Sequence, residues 1–154
     1  MTLDEFTYIC NDSAIQFNTS VVSGNNANAS INFTIREPYP RIFFNNGYSL
    51  SIQCGKYNYS KPRENVDFYS KFELGFLNGR YDLSLARIEK LNEYLDSDDV
   101  AGYVPKEIVE EIISNFGGIN IEKTFNSEPY NKFERLTNFL KRKNRNKKID
   151  NLLG

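Results

Sequence analysis

The chain predicts an α+β fold: an antiparallel β-sheet built from hairpins, with helices packed on one face, and a C-terminal amphipathic basic helix. Three observations carry that expectation. Alternating apolar residues around turn signals fill residues 15–84, helical periodicity takes over in 86–116, and the last segment joins an apolar stripe to a run of cations. Strands first and helices later point to segregated layers rather than a βαβ repeat. A chain of 154 residues suits one domain with an appendage, and can bury a core without metal or disulfide staples. The expected division is an α+β domain over 1–118 and a helical basic appendage over 119–154.

Thr2-Leu3-Asp4-Glu5 has capping-box spacing, and Leu3, Phe6, Ile9 and Cys10 then share one helical face. Ile15, Phe17, Thr19 and Val21 alternate, as do Ile31, Phe33 and Ile35, so the two runs read as a hairpin around the polar loop SGNNANAS. Pro38 and Pro40 interrupt any strand. In RIFFNNGYSLSIQ, Asn46-Gly47 is the pair preferred by a two-residue type I′ turn. That turn sets Asn45 opposite Tyr48, Phe43 opposite Leu50 and Arg41 opposite Ile52. Asn78-Gly79 repeats the device between Phe72, Leu74, Phe76 and Tyr81, Leu83. Ile88, Leu91 and Leu95 predict a helix in ARIEKLNEYLD. A second helix opens near Pro105, buries Ile108, Val109, Ile112, Ile113 and Phe116, and ends at Gly117-Gly118. Ser127-Glu128-Pro129 then predicts the start of a helix with a stripe of Tyr130, Phe133, Leu136, Phe139 and Leu140, which runs into KRKNRNKK.

Composition narrows the setting. A mean hydropathy of -0.56, acidic residues in MTLDEF and no apolar run near the roughly 18 residues of a membrane span predict a cytoplasmic protein. Cys10 and Cys54 are expected to be small buried thiols. The net charge of -1 conceals an asymmetry. Residues 1–130 carry 11 Lys/Arg against 18 Asp/Glu, whereas residues 131–154 carry 8 against 2. The tail is a separate electrostatic object.

The chain contains no histidine. Ser-His-Asp and Cys-His nucleophiles and histidine bases are therefore excluded, and two cysteines fall short of a four-thiolate zinc site. Gly55-Lys56 is no phosphate loop, because Tyr57 stands where Ser or Thr is needed and no glycine lies five residues before Gly55. Tyr57 and Tyr59, with Lys56, Lys61 and Arg63, combine stackable rings with cations, as a partner surface or a single-strand site would. The blander alternative, rings that extend the sheet's aromatic face, is preferred because tyrosine is a favoured strand residue. Glu93, Asp96, Asp98 and Asp99 read as a solvated turn rather than a cation loop. Lys141, Arg142, Lys143, Arg145, Lys147 and Lys148 could meet nucleic-acid phosphates or an acidic protein, or simply solubilise the tail.

In their order, NGYSLSIQCGKYNYS, ELGFLNGRYDLS and VAGYVPKEIVEEII resemble a group of small proteins of bacteriophages and mobile elements. The resemblance spans about residues 41–116, and Ser60 stands where many of that group carry Cys. It implies an accessory protein in a bacterial host cytoplasm. With no catalytic constellation, the expectation is a protein without enzymatic turnover, cofactor or metal that binds and modulates a host protein or complex, such as a defence system. Lys56, Tyr57, Tyr59, Lys61, Arg63, Tyr130, Phe133, Leu136 and Leu140 are the candidate partner contacts. A nucleic-acid-binding accessory protein using the basic tail is the alternative, and the C-terminal helix could also pair two copies of the chain. No membrane partner is expected.

Overall fold

The structure is a computed structural model. It describes residues 1–12, 14–23, 27–75, 88–95, 100–126 and 133–153, with side chains for all of these except 14–36, 152 and 153. The second Asn-Gly pair, Tyr130, Asp96, Asp98, Asp99 and the Ser127-Glu128-Pro129 start lie outside the described residues.

Helix α1 (Leu3–Cys10) opens with the expected capping box. The Thr2 hydroxyl accepts from the Glu5 amide, and the Glu5 carboxylate accepts from the Thr2 amide. Strands β1 (Ala14–Ser23) and β2 (Ala27–Arg36) form a separate antiparallel ribbon in register from Ala14↔Arg36 to Ser23↔Ala27. Pairing thus runs further than alternation suggests, and takes in most of the stretch expected to be loop.

The main sheet is antiparallel, in the order β3 (Ile42–Phe43), β4 (Ser49–Gln53), β5 (Lys71–Gly75), β6 (Val100–Pro105). Asn46-Gly47 does turn the chain between β3 and β4, but the turn is one residue longer than expected. The Phe44 amide donates to the Tyr48 carbonyl, the Gly47 amide donates to the Phe44 carbonyl, and only Gly47 takes positive φ, at 93°. This is a three-residue hairpin closed by a glycine bulge. Its register is Ile42↔Leu50 and Phe43↔Ser49. A one-residue slip exchanges the faces of a strand. Ile42 and Phe44 are therefore buried, while Phe43 is only half-buried.

Leu50, Ile52, Phe72, Leu74, Ala101 and Val104 complete the buried face of the sheet. Helix α2 (Lys106–Asn115) covers it with Ile108, Val109, Ile112 and Ile113, directly after Pro105. Its end is a Schellman motif, in which the Gly118 amide reaches the Ile113 carbonyl and the Gly117 amide reaches that of Ser114. The β3–β4 turn is fastened to that helix end. Asn45 and Asn46 amides donate to the Gly118 and Phe116 carbonyls, and the Asn45 side chain donates to the Gly117 carbonyl.

Glu89–Tyr94 is a 3₁₀ helix rather than the expected α-helix. The Leu91 amide closes on the Ile88 carbonyl three residues back, and Leu95 leaves the helix to form a bridge with Ala101. Pairing with β6 stops the helix from propagating. The core also extends beyond residue 118: Ile119 bridges to Phe44, and α3 (Ile121–Phe125) buries Phe125 against Phe6.

Helix α4 (Glu134–Leu153) begins, within the described residues, just after Phe133. Phe133 and Leu136 are buried in the same core, and Phe139 packs against it. Asp12, just past α1, accepts from the Arg135 amide near the new helix's start. The Arg135 guanidinium donates to the Tyr8 carbonyl at 2.8 Å, meets Asp67 at 3.3 Å and lies 4.2 Å from the Tyr8 ring centre. From Lys141 to Asp150 every residue is exposed.

Candidate functional site

Between β4 and β5 the chain leaves the sheet and then returns to it. Gln53 pairs with Glu73, and Lys61 pairs with Lys71, so residues 54–60 arch away from a strand position that resumes at 61. The arch is held from the face of the sheet opposite α2, because Glu73, which holds it, alternates with the buried Phe72 and Leu74. One Glu73 carboxylate oxygen accepts from the Asn58 side chain at 3.0 Å, the other from the Tyr59 amide at 2.9 Å. The buried Ser60 hydroxyl accepts from the Gly55 amide at 3.0 Å, and the Asn58 amide donates to the Gly55 carbonyl. The Lys56 amide reaches the Asn65 side chain, and the Tyr59 carbonyl accepts from the Tyr103 amide at 2.8 Å. A backbone so fully bonded is fixed in shape before it meets anything.

That backbone displays the predicted side chains unequally. Tyr57 is 73% exposed with Lys56 Nζ 5.7 Å from its ring centre, and Tyr59 is 42% exposed with the Arg63 guanidinium at 5.8 Å. Lys61 is exposed but engaged through its backbone with β5. Tyr57 does not extend an aromatic face of the sheet, as the blander expectation held, since the arch lifts it clear of β4. Tyr59 does lie against a strand, with its ring centre 5.8 Å from that of Tyr103 on β6.

Tyr103 has no counterpart in the sequence expectations. Phe72↔Val104 and Leu74↔Ala101 leave Gly102 and Tyr103 both opposite Glu73, which makes a β-bulge. Tyr103 sits at φ 55, the only non-glycine residue among those described with positive φ. Gly102 permits the close approach of the arch: a Cβ there would stand 3.0 Å from the Tyr59 Cβ. The arch, this bulge and the end of the 3₁₀ helix enclose a cleft of about 440 Å³ lined by Tyr59, Glu93, Tyr94, Leu95, Gly102 and Tyr103. Glu93 thus stands exposed on the wall of this cleft, while Asp96, Asp98 and Asp99, its companions in the expected solvated turn, lie outside the described residues. Among the described residues, no three His, Cys, Asp or Glu side chains gather to hold a metal ion.

No protein-family profile, curated protein or solved structure matches this chain.

The C-terminal candidates divide into two groups. Phe133 and Leu136 are buried and fasten α4 to the body, so their apolar surface is used internally, whereas Leu140 is 39% exposed. Lys141, Arg142, Lys143, Arg145, Lys147 and Lys148 all lie on exposed turns of α4. At a rise of about 1.5 Å per residue, the exposed turns from 141 to 151 make a cationic rod about 16 Å long. Where α4 passes α1, a second concavity of about 520 Å³ opens between Tyr8, Ile9, Phe139, Arg142 and Lys143. Cys10 and Cys54 are both buried, and the Cys54 thiol donates to the Tyr39 hydroxyl at 3.3 Å. Among the described residues, no helix is long and apolar enough to cross a membrane.

Proposed function

We propose that this chain is a non-catalytic binding protein, an accessory factor of a bacteriophage or mobile element that recognises and modulates a host protein in the bacterial cytoplasm. The observation that carries this reading is Tyr57, an aromatic ring held out in water on an arch whose backbone is already hydrogen-bonded to the sheet. Exposing a large ring on a rigid support gains nothing for the fold. It does suit an interface, where tyrosine supplies contact area at little conformational cost and often anchors the binding energy. A bacterial defence complex is one such target.

A second reading has its own support in α4. Its six cations on fully exposed turns suit phosphates, and the alternative is that this arm carries nucleic-acid binding. Affinity capture from a bacterial lysate separates the two. On the protein-binding reading, one captured protein is lost with Tyr57→Ala, kept when residues 141–154 are deleted, and insensitive to nuclease. On the nucleic-acid reading, the retained material is nuclease-sensitive, weakens steeply with salt and disappears with the truncation. Capture that ignores both changes would defeat both readings.

A further inference from the structure

We infer that the cleft between Tyr59, Tyr94 and Tyr103 is a receptor for an arginine side chain of the partner protein, with Glu93 as its counter-charge. The inference rests on the protein-binding reading and names the chemistry that the partner must present. Tyr59, Tyr94 and Tyr103 line the cleft, and the exposed Glu93 stands at its wall, its carboxylate without a hydrogen bond or ion pair to any described residue. Aromatic faces carry partial negative charge and attract cations, most effectively where water is thinned out, and a nearby carboxylate adds to that attraction. A guanidinium is planar and weakly hydrated, stacks on phenol faces and can bind a carboxylate through two donors, which a lysine ammonium cannot do. The protein contains a precedent, because the Arg63 guanidinium already lies 5.8 Å from the centre of the Tyr59 ring without lining the cleft. The overall charge of residues 1–130, 18 acids against 11 bases, also favours a cationic ligand.

Two features show that the cleft is built at a cost to local geometry. Tyr103 holds positive φ, which glycine or asparagine would adopt with less strain, and its ring consequently lines the cleft beside Tyr59. The arch is seated so closely on β6 that a Cβ at 102 would stand 3.0 Å from the Tyr59 Cβ and would push the arch back by a few tenths of an ångström. Without the bulge, the bonds from Glu73 would fix the arch but would not place two tyrosines side by side.

The test is a titration of the ¹⁵N-labelled full chain, followed by amide shifts. N-acetyl-arginine methylamide should produce saturable shifts at Tyr59, Gly102 and Tyr103. The citrulline analogue, similar in shape but uncharged, should not, and the lysine analogue should bind more weakly. Glu93→Gln should weaken the arginine response by about threefold or more, and Tyr103→Asn, which tolerates positive φ, should remove it while the rest of the spectrum stays folded. Equal responses to arginine and citrulline, or an arginine response unchanged in both variants, would overturn the proposal. Lysate capture keeps its fate distinct from that of the broader reading. A partner lost with Tyr57→Ala but held fully by Glu93→Gln and Tyr103→Asn leaves the protein-binding reading standing and refutes the arginine cleft. Arginine selectivity combined with capture indifferent to Tyr57→Ala supports the cleft and refutes the reading.

Discussion

Replacing Arg135 by alanine should loosen α4 from the body. This one side chain makes four contacts at the helix's first turn: its Nη1 donates to the Tyr8 carbonyl at 2.8 Å, the same nitrogen meets Asp67 at 3.3 Å, its Nε lies 3.7 Å from the Asp12 carboxylate, and the guanidinium stacks 4.2 Å from the Tyr8 ring centre. A charge-assisted hydrogen bond contributes about 1.5–3 kcal/mol, a partly exposed ion pair about 0.2–1, and a cation–π contact about 0.5–1. The Arg135 side chain is 30% exposed and that of Asp67 45%, so the ion pair belongs at the weak end. One guanidinium cannot deliver these contributions additively, and a net loss of about 2 kcal/mol is expected. For a chain of this size that lowers the melting temperature by about 4–8 °C. Urea denaturation of the wild type, Arg135→Ala, Asp67→Asn and the double variant measures the loss and isolates the Asp67 share. Asp12 should still hold the start of α4, since it accepts from the Arg135 backbone amide, which the substitution keeps. A loss below about 0.5 kcal/mol would show that Phe133 and Leu136 alone seat the helix, and the latch would be refuted.

Gly47→Val should destabilise the protein by about 1 kcal/mol or more, read from the urea midpoint, because φ 93 is hostile to a β-branched residue. Nothing lies within 4 Å of a Cβ there, so the loss would be backbone strain rather than a clash, and an unchanged midpoint would contradict the observed turn. Lys106 joins the start of α2 to Asp4 of α1 at 2.6 Å, and that hydrogen bond raises its pKa above the ordinary lysine value despite the opposing effect of partial burial. A raised lysine contributes its stability in full below about pH 10.4 and loses it as the pH climbs through the folded value. Lys106→Met should therefore melt below the wild type at neutral pH, by an amount that shrinks above that value; a gap constant across the range would refute the linkage.

How far the sequence led depended on whether a signal was local. The capping box, the stripe of α2 and its glycine stop each involve neighbours within one element, and each formed as expected. The β3–β4 register did not, because Ile42-Phe43-Phe44 is continuously apolar and period-two alternation cannot choose between its phases. Contacts 70 residues away made the choice, through carbonyls at the end of α2 that accept from Asn45 and Asn46. The arch was not legible: tyrosines at the alternate positions 57 and 59 read as strand residues on the sheet's aromatic face, and nothing local marked Glu73 as the residue that holds the segment away from it. Tyr103 was also hidden. A glycine-tyrosine pair in a strand announces no bulge until the partner strand is known.

The arch and the arm differ in a way that decides what each can recognise. Five of the six amides from Gly55 to Ser60 donate hydrogen bonds, so the arch keeps one shape, and any partner it meets would be selected by fit. The arm is held differently. Lys141 and Arg145, and Lys143 and Lys147, are like charges four residues apart, each pair disfavouring the helix by a few tenths of a kcal/mol. No buried side chain lies among residues 141–150 to offset that repulsion. What sustains these turns is continuity with the docked segment at Phe133 and Leu136, since extending an existing helix avoids the unfavourable step of nucleating one. A helix under its own repulsion is stabilised by any anion that lies along it, whatever that anion's sequence. On the protein-binding reading, specificity would therefore belong to the arch and its cleft, and the arm would strengthen an encounter with an acidic surface without choosing the partner.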